Sequence, residues 1–234
     1  MNTNTPNQPV GLLLLSGAGI GSWAWQEVTQ SLKFPAVAVD YPKENAQAGM
    51  DEYVAAALKQ AETLQTQKIV VVGHSLSGAI GLKVAEELGE RLAGFVAVAA
   101  AIPKNGGSFV SSLPFPQKFI MPLIIRLAGT KPPEASIRKS YCHDLTPELA
   151  DKVIANYVAE TKQIYFDRSA LPPQAPKLFV QTTKDVDFPV SLQEAMARNL
   201  GATKTAMVES GHLPMLAKPN ELAEHLNQFC AELK

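Results

Sequence analysis

Short, uninterrupted apolar runs that alternate with segments of helical periodicity are the feature that most limits how this chain can fold. A run that is apolar throughout predicts a strand covered on both faces, and strands separated by helices predict a parallel sheet. Six strands are predicted, at residues 10–15, 36–39, 68–72, 95–100, 177–181 and 205–208. The sequence therefore indicates an α/β fold with a mostly parallel sheet of about six strands and helices on both faces.

Helices are predicted between these strands, and the segment 51–64 shows why. Its Val54, Ala57, Leu58 and Ala61 recur at the spacing that places one apolar face against a core. The other helices are predicted at residues 23–32, 76–88 and 190–199 and from Pro219 onward.

One long segment interrupts the alternation. It begins after Ile102, is rich in proline, and carries only two helical candidates, around 117–127 and 147–161. We therefore predict a core formed by residues 1–102 and 176–234, with residues 103–175 inserted as a cap or lid over the sheet.

The charge balance and the apolar content exclude several classes of partner. The 234 residues are 46% hydrophobic, which is enough for a full core, and 21 Lys and Arg against 22 Asp and Glu give a formal charge of −1. A chain without a basic stripe offers little to a phosphate backbone, so no nucleic-acid partner is expected. The apolar run at 10–15 is too short to span a bilayer and lacks the features of a signal peptide, so we expect no membrane partner and a cytoplasmic location.

The two cysteines, Cys142 and Cys230, are too few for a disulfide framework and too isolated for a metal site. No metal or organic cofactor is predicted. The expected partner is a small-molecule substrate, and the expected assembly is a monomer or a homodimer.

A serine that could act as a nucleophile lies in Gly73-His-Ser-Leu-Ser77, between the strand ending at Val72 and the next helix. On such a turn the backbone is strained, small neighbours let strand and helix pass closely, and the Ser75 hydroxyl is exposed at the sheet edge. The helix N-terminus directs free N–H groups at anything attached to that oxygen. The alternative is an ordinary tight turn.

A serine nucleophile needs a base, and four histidines are available. His212 follows the last strand on a loop with an adjacent glycine, which is a placement typical of catalysis, although a solvated loop histidine is the alternative. His74 flanks the serine and is expected to point away from its hydroxyl. His143 lies in the insertion, and His225 is expected on the surface of the last helix.

The base in turn needs a carboxylate that fixes its tautomer. Asp185 and Asp187 both follow the strand ending at Gln181, and either could be an ordinary turn carboxylate. Asp185 comes directly off the strand and is preferred, whereas Asp144 and Asp167 belong to the insertion and are weaker candidates. The order Ser75, Asp185, His212 is the order expected of an α/β-hydrolase.

Three segments make a family resemblance specific: Leu14–Trp25 with its three glycines, Gly73–Gly78, and Gly211–Leu222. The chain resembles the α/β-hydrolases of the small plant methylesterase and hydroxynitrile lyase group and their bacterial esterase relatives. The resemblance implies an oxyanion hole made of two backbone N–H groups, those of Leu76 and Ala18.

The chain departs from the family pattern at two positions. Ser16 stands where the family usually has His, and Ser77 stands where it usually has Gly. Both substitutes are small, so we expect a slightly altered turn with activity retained. The related hydroxynitrile lyases carry a Thr and a Lys at the positions of Gly17 and Leu213, so ester hydrolysis is favoured here.

Pocket walls are predicted from the insertion and the first loop. The predicted substrate-pocket residues are Gly17, Phe109, Phe115, Phe119 and Met121, although some of the insertion's apolar side chains could simply attach it to the core. The predicted function is a serine hydrolase that cleaves a small to medium, largely apolar ester through an acyl-enzyme. The alternatives are carbon–carbon or amide hydrolysis, perhydrolysis, or a small-molecule receptor with little turnover.

Overall fold

The computed structural model describes residues 10–233, and they form one six-stranded sheet in which all neighbouring strands are parallel. The strands are β1 (Val10–Leu15), β2 (Ala36–Val39), β3 (Lys68–His74), β4 (Leu92–Val98), β5 (Lys177–Thr182) and β6 (Lys204–Val208). Their order across the sheet is β2-β1-β3-β4-β5-β6, which confirms the predicted α/β fold. The order reverses between β1 and β3, and the crevice outside the carboxyl ends of strands at such a point is where ligands bind.

Helices cover both faces of this sheet. The helices of the core are α1 (Gln26–Ser31), α2 (Met50–Ala61), α3 (Ser77–Leu88), α8 (Val190–Leu200), α9 (Pro214–Ala217) and α10 (Pro219–Ala231). Residues of α2, α3 and α8 join one apolar cluster, and residues of α1 and α10 join the other. Alternate residues of β1 divide between the clusters, Leu13 and Leu15 in one and Leu12 and Leu14 in the other, as the two-residue period of a strand requires.

Most element boundaries in the core differ from the prediction by one to three residues, and two of the differences have a visible cause. β4 begins at Leu92 rather than Phe95, because the chain already pairs with Ile69 of β3 there, and a register shift follows. The helix predicted at 23–32 is a 3-10 turn, Ser22–Trp25, followed by the short α1.

The segment between β4 and β5 forms α4 (Phe109–Ser112), α5 (Gln117–Ala128), α6 (Glu134–Lys139) and α7 (Pro147–Ala155), of which α4 and α6 were not predicted. α7 ends six residues earlier than predicted, because the chain beyond it turns to contact the loop after β1. There Val158 N–H donates to Gly19 C=O at 3.1 Å. Whether this segment acts as a lid stays a prediction.

Residues 1–9 and 234, which the sequence assigned to the core, lie outside the described residues. Among residues 10–233, every helix is too short or too polar to cross a bilayer.

Candidate active site

Ser75 lies on the tight turn between β3 and α3, and its backbone is left-handed, with φ of +51°. This conformation costs a non-glycine residue on the order of 1–3 kcal/mol, and it persists where surrounding contacts fix it. Ser75 N–H donates to Val98 C=O at 3.2 Å, and Ser75 C=O accepts from Ala101 N–H at 2.9 Å. Strand and helix pass so closely that a Cβ on Gly73 would lie 2.5 Å from the Ser77 carbonyl oxygen.

The structure brings Ser75, His212 and Asp185 together in one hydrogen-bonded chain. His212 Nε2 lies 2.9 Å from Ser75 Oγ, and His212 Nδ1 lies 2.7 Å from Asp185 Oδ2. Because an ionised carboxylate only accepts, Nδ1 carries the proton and Nε2 is free to accept the serine proton. The imidazole and the carboxylate are fully enclosed, with side-chain exposures of 1% and 0%.

Asp185 is held by the loop that carries it. Its Oδ1 accepts the N–H groups of Asp187 and Phe188, both at 2.9 Å, and its Oδ2 accepts the Thr182 hydroxyl at 3.0 Å. These bonds explain why Asp185 rather than Asp187 faces His212 Nδ1: the chain curls around Asp185, and the next residues become its donors.

Gln193 of α8, which the sequence analysis did not single out, fixes the same loop from behind. It is fully buried and bonds both the N–H and the C=O of Thr182, and its Nε2 also donates to Phe188 C=O at 2.6 Å. A glutamine in a helix gives no local signal of this role, because its partners lie on another element.

In the Asp185–His212 pair, the attraction between the two groups, together with their neighbours, outweighs the effect of burial on both pKa values. Burial alone would raise the pKa of Asp185, but the charge and hydrogen bond of His212 and the loop donors hold that pKa below its usual value. Burial alone would lower the pKa of His212, but Asp185, and to a smaller extent the charge of Asp187, raise it. The site is therefore built to stabilise the imidazolium that forms when His212 takes a proton.

Two backbone N–H groups beside Ser75 remain free. Within residues 10–233, the N–H groups of Ala18 and Leu76 have no hydrogen-bond acceptor. The N–H groups on either side of Ala18 are occupied, since Gly17 donates to His74 Nδ1 at 3.2 Å and Gly19 donates to Glu160 Oε1 at 3.0 Å. Leu76 stands at the N-terminus of α3, where the helix dipole favours negative charge. The residues predicted for the oxyanion hole thus have the donors that it needs.

His74 joins the loops that carry these groups. Its Nδ1 accepts from Gly17 N–H, so its Nε2 carries the proton and donates to His212 C=O at 2.8 Å. Burial and the neighbouring His212 lower the pKa of His74 to about 3, so it stays neutral and can hold both bonds. As expected from the sequence, it does not bond the Ser75 hydroxyl.

The two departures from the family pattern contact one another. Ser77 Oγ donates to Ser16 C=O, and the Tyr41 hydroxyl lies 3.0 Å from the same Oγ. Ser16 Oγ accepts from Trp25 Nε1 at 3.0 Å and donates to Gly21 C=O. The Ser77 side chain therefore links the elbow directly to the oxyanion loop, and the Ser16 side chain braces that loop from within.

A buried ion pair that the sequence analysis missed also reaches the oxyanion loop. Lys43 Nζ lies 2.7 Å from Glu160 Oε1, with side-chain exposures of 9% and 1%, and also donates to Ile20 C=O. Glu160 accepts the Tyr53 hydroxyl at 2.7 Å besides Gly19 N–H. The insertion thus holds the oxyanion loop from above. The chain carries no local signal of it, because the partners are 107 to 141 residues apart.

A cavity of about 910 Å³ opens over Ser75 and His212, and residues of the insertion form much of its wall. Its apolar lining residues include Phe109, Leu113, Met121, Ile124, Ile125, Phe188 and Leu192.

Three of the five predicted pocket residues lie outside this lining, and these predictions are corrected. Phe115 and Phe119 are 78% and 66% exposed, because Met121 and Ile125 occupy the inward face of α5 and Phe119 lies on its outer face. Gly17 is enclosed, since a Cβ there would lie 2.7 Å from His74 Nδ1 and 2.8 Å from Ser75 Cβ. Phe109 and Met121 do line the cavity.

The weaker candidates for the catalytic acid and base make contacts outside the triad. Asp144 accepts Gly211 N–H, Asp167 accepts Met50 N–H at the start of α2, and the exposed His143 bonds Ser140 C=O. Cys142 and Cys230 are buried free thiols.

The comparisons with known proteins agree with this geometry. A family model described as "Alpha/beta hydrolase family" matches residues 12–225. "Putative methylesterase 11, chloroplastic" of Arabidopsis thaliana is 25% identical over 238 aligned positions, and the match covers 90% of this chain and 61% of that protein. The chain thus spans less than two thirds of this relative.

Solved structures share the fold at low identity. An extracellular alpha/beta-hydrolase from a Paenibacillus species, described as homologous in structure and function to tobacco Salicylic Acid Binding Protein 2, matches with a TM-score of 0.83 at 16% identity, over 94% of this chain and 98% of that one. A pyrethroid hydrolase from Sphingobium faniae JZ-2 matches with a TM-score of 0.77 at 17% identity, over 95% of this chain and 98% of that one. Polyneuridine aldehyde esterase matches with a TM-score of 0.76 at 16% identity, over 94% of this chain and 98% of that one.

Proposed function

This chain belongs to the alpha/beta hydrolase family, and from that premise we propose that it is a serine esterase that cleaves a small to medium, largely apolar ester through an acyl-enzyme. The observation that carries the proposal is the strained Ser75, whose Oγ lies 2.9 Å from His212 Nε2 beside two free N–H groups. The names of the similar proteins, a methylesterase, an esterase and a pyrethroid hydrolase, support ester chemistry.

In the first half-reaction Ser75 Oγ attacks the ester carbonyl carbon while His212 Nε2 takes the hydroxyl proton. The carbonyl oxygen becomes an oxyanion and accepts the N–H groups of Ala18 and Leu76. One such donor contributes about 3 kcal/mol to transition-state stabilisation. His212 then gives its proton to the departing alkoxide, and the alcohol leaves the acyl group on Ser75.

In the second half-reaction water repeats these steps. His212 takes a proton from the water as its oxygen attacks the acyl carbon, and the same two N–H groups bind the oxyanion. The bond to Ser75 Oγ then breaks, the proton returns to that oxygen, and the carboxylic acid is released. Asp185 keeps its charge throughout and orients the imidazole.

The residue after His212 favours hydrolysis over cyanohydrin cleavage. It is Leu213, which is fully buried, whereas the hydroxynitrile lyases of this group carry a lysine there to hold the charge of departing cyanide. Without a cation at this position, the negative charge that develops on a substrate is stabilised at the oxyanion hole.

The direct test is hydrolysis of p-nitrophenyl acetate and butyrate by the wild type and by Ser75→Ala. The proposal expects turnover by the wild type and a loss of at least about 1000-fold in kcat/KM in the variant. The melting temperature of the variant checks that it folds. Equal turnover by both proteins, or none by the wild type, would overturn the proposal.

A further inference from the structure

Three tyrosine hydroxyls in the catalytic cavity have no partner. Tyr141, Tyr157 and Tyr165 all line the cavity and all come from the insertion. Within residues 10–233 none of their hydroxyls makes a hydrogen bond, whereas the other two tyrosines, Tyr41 and Tyr53, are both bonded. Each of the three hydroxyls keeps some accessible surface, and the space that it borders is the cavity.

The three rings line the same cavity as Ser75 and His212. The Tyr141 ring centroid lies 5.1 Å from that of His212 and 6.5 Å from that of Tyr157. Tyr157 packs on the oxyanion loop, where a Cβ on Gly19 would lie 2.1 Å from its ring. Tyr165 meets Phe109 edge to face at 5.4 Å. A ligand whose carbonyl is at Ser75 therefore shares its cavity with all three hydroxyls.

A tyrosine that is this deeply buried ordinarily finds a hydrogen-bond partner for its hydroxyl. Tyr157 and Tyr165 are only 5% and 7% exposed, yet their hydroxyls are unpaired in a cavity whose wall is otherwise mostly apolar. Burial raises the pKa of all three phenols, so they are neutral donors at physiological pH. A cluster of free neutral donors fits a ligand that brings acceptor oxygens.

The charges nearby determine which acceptor fits. Glu160, Asp185 and Asp187 all act on the Tyr141 hydroxyl, and each is a carboxyl group. Lys131 is the single Lys or Arg among the residues that line the cavity, and it is exposed. The cavity wall therefore offers no buried Lys or Arg to a carboxylate or phosphate, and Asp187 beside the site disfavours a second negative charge, which leaves an uncharged oxygen.

We propose that Tyr141, Tyr157 and Tyr165 form a polar subsite that selects uncharged esters bearing a ketone, ether or hydroxyl oxygen beyond the scissile carbonyl. The subsite rests on the proposed esterase function and names its substrate class. The apolar wall binds the carbon skeleton, and the hydroxyls reject a skeleton that brings no acceptor, since their burial would then stay uncompensated.

The test compares matched esters on matched variants. The ester pairs are p-nitrophenyl 4-oxopentanoate with pentanoate and 5-oxohexanoate with hexanoate for the acyl side, and 2-methoxyethyl with butyl butanoate for the alcohol side. Rates are divided by those of alkaline hydrolysis, which removes differences in intrinsic reactivity. The proteins are the wild type, the three single Tyr→Phe variants, the triple variant, and Phe119→Leu as a control outside the cavity.

We expect the wild type to prefer the oxygen-bearing ester in at least one pair, by roughly 3- to 10-fold in kcat/KM for each hydroxyl engaged. The preference should fall toward one in the triple variant and stay unchanged in Phe119→Leu. A wild type without preference in any pair, or a preference that survives in the triple variant, overturns the subsite.

Binding to Ser75→Ala separates this subsite from the proposed function. That variant binds intact esters without turnover, so calorimetric titration with methyl 4-oxopentanoate and methyl pentanoate measures selection alone. Tighter binding of the oxo ester that is lost on Tyr→Phe substitution supports the subsite even if the wild type hydrolyses neither ester. Equal binding of the two esters contradicts the subsite even if the wild type proves to be an esterase.

Discussion

The carboxyl edge of the sheet and the insertion above it form the two halves of one cavity, but they are built differently. At the sheet edge each residue of the proposed triad follows a strand: Ser75 follows β3, Asp185 follows β5 and His212 follows β6. In the insertion, Tyr157 and Glu160 follow the short helix α7 and contact Gly19 of the loop after β1, more than a hundred residues away. The sheet edge therefore positions the proposed triad through local turns, whereas the insertion contacts the oxyanion loop through residues distant in sequence.

The largest effect should come from removing charge at the sheet edge. Asp185→Asn keeps the shape but lets the side chain donate to His212 Nδ1, which favours the wrong tautomer. We expect kcat to fall by roughly 10⁴-fold, with little change in melting temperature. Asp187→Asn is the matched control, because its carboxylate is near His212 but does not bond Nδ1. If Asp185→Asn retained more than a tenth of the activity, the assignment of Asp185 would be wrong.

The next largest effect should come from the Lys43–Glu160 ion pair, which joins the insertion to the oxyanion loop. Glu160→Gln leaves Lys43 charged and buried, so we expect a loss of about 3–5 kcal/mol in the free energy of unfolding, measured by urea titration. Esterase activity should also fall, since glutamine has one acceptor oxygen where Glu160 uses two for Gly19, Lys43 and Tyr53, so the oxyanion loop is held less firmly. Glu62→Gln breaks the exposed Arg91–Glu62 pair and should cost under about 1 kcal/mol.

The double variant Lys43→Met/Glu160→Gln sharpens this result. With no unpaired charge left inside, much of the stability should return, while the oxyanion loop still lacks its ionic link. Stability and activity that recover together would show that Glu160 acts only on folding.

The smallest effect concerns pH. Neutral His212 is the base, and its pKa is raised by Asp185 and Asp187, so kcat/KM should decline as the pH falls through a midpoint above the ordinary histidine value of about 6.5. Asp187→Asn removes one of the negative charges that raise the pKa, so the midpoint should move to lower pH. Glu224→Gln, at an exposed position of α10, should leave it in place. A midpoint that moves upward in Asp187→Asn would contradict the account.

The same comparison explains how much the sequence could predict. The six strands and the residues that follow them are encoded locally, in apolar runs, in the Gly73–Ser77 turn and in the glycine beside His212, so the fold was predicted and confirmed. The structure brings the three predicted triad residues together.

In the insertion the sequence identified apolar side chains, but it did not show which of them face the cavity. Met121 and Phe119 are both apolar and two residues apart, which puts them on different faces of α5, and only the packing shows which face looks inward. Glu160 gave no signal because its hydrogen-bond partners lie on other elements, and the three tyrosines gave none because only the packing shows that they line the cavity.

The central claim is that Ser75 is the nucleophile, and covalent labelling tests it most directly. A fluorophosphonate should lose fluoride as Ser75 Oγ bonds to its phosphorus, so the intact mass should rise by one phosphonyl group, with peptide mapping placing the group on Ser75. Ser75→Ala should stay unlabelled under the same conditions. Labelling of the variant to the same extent, or no labelling of the wild type, would contradict the account.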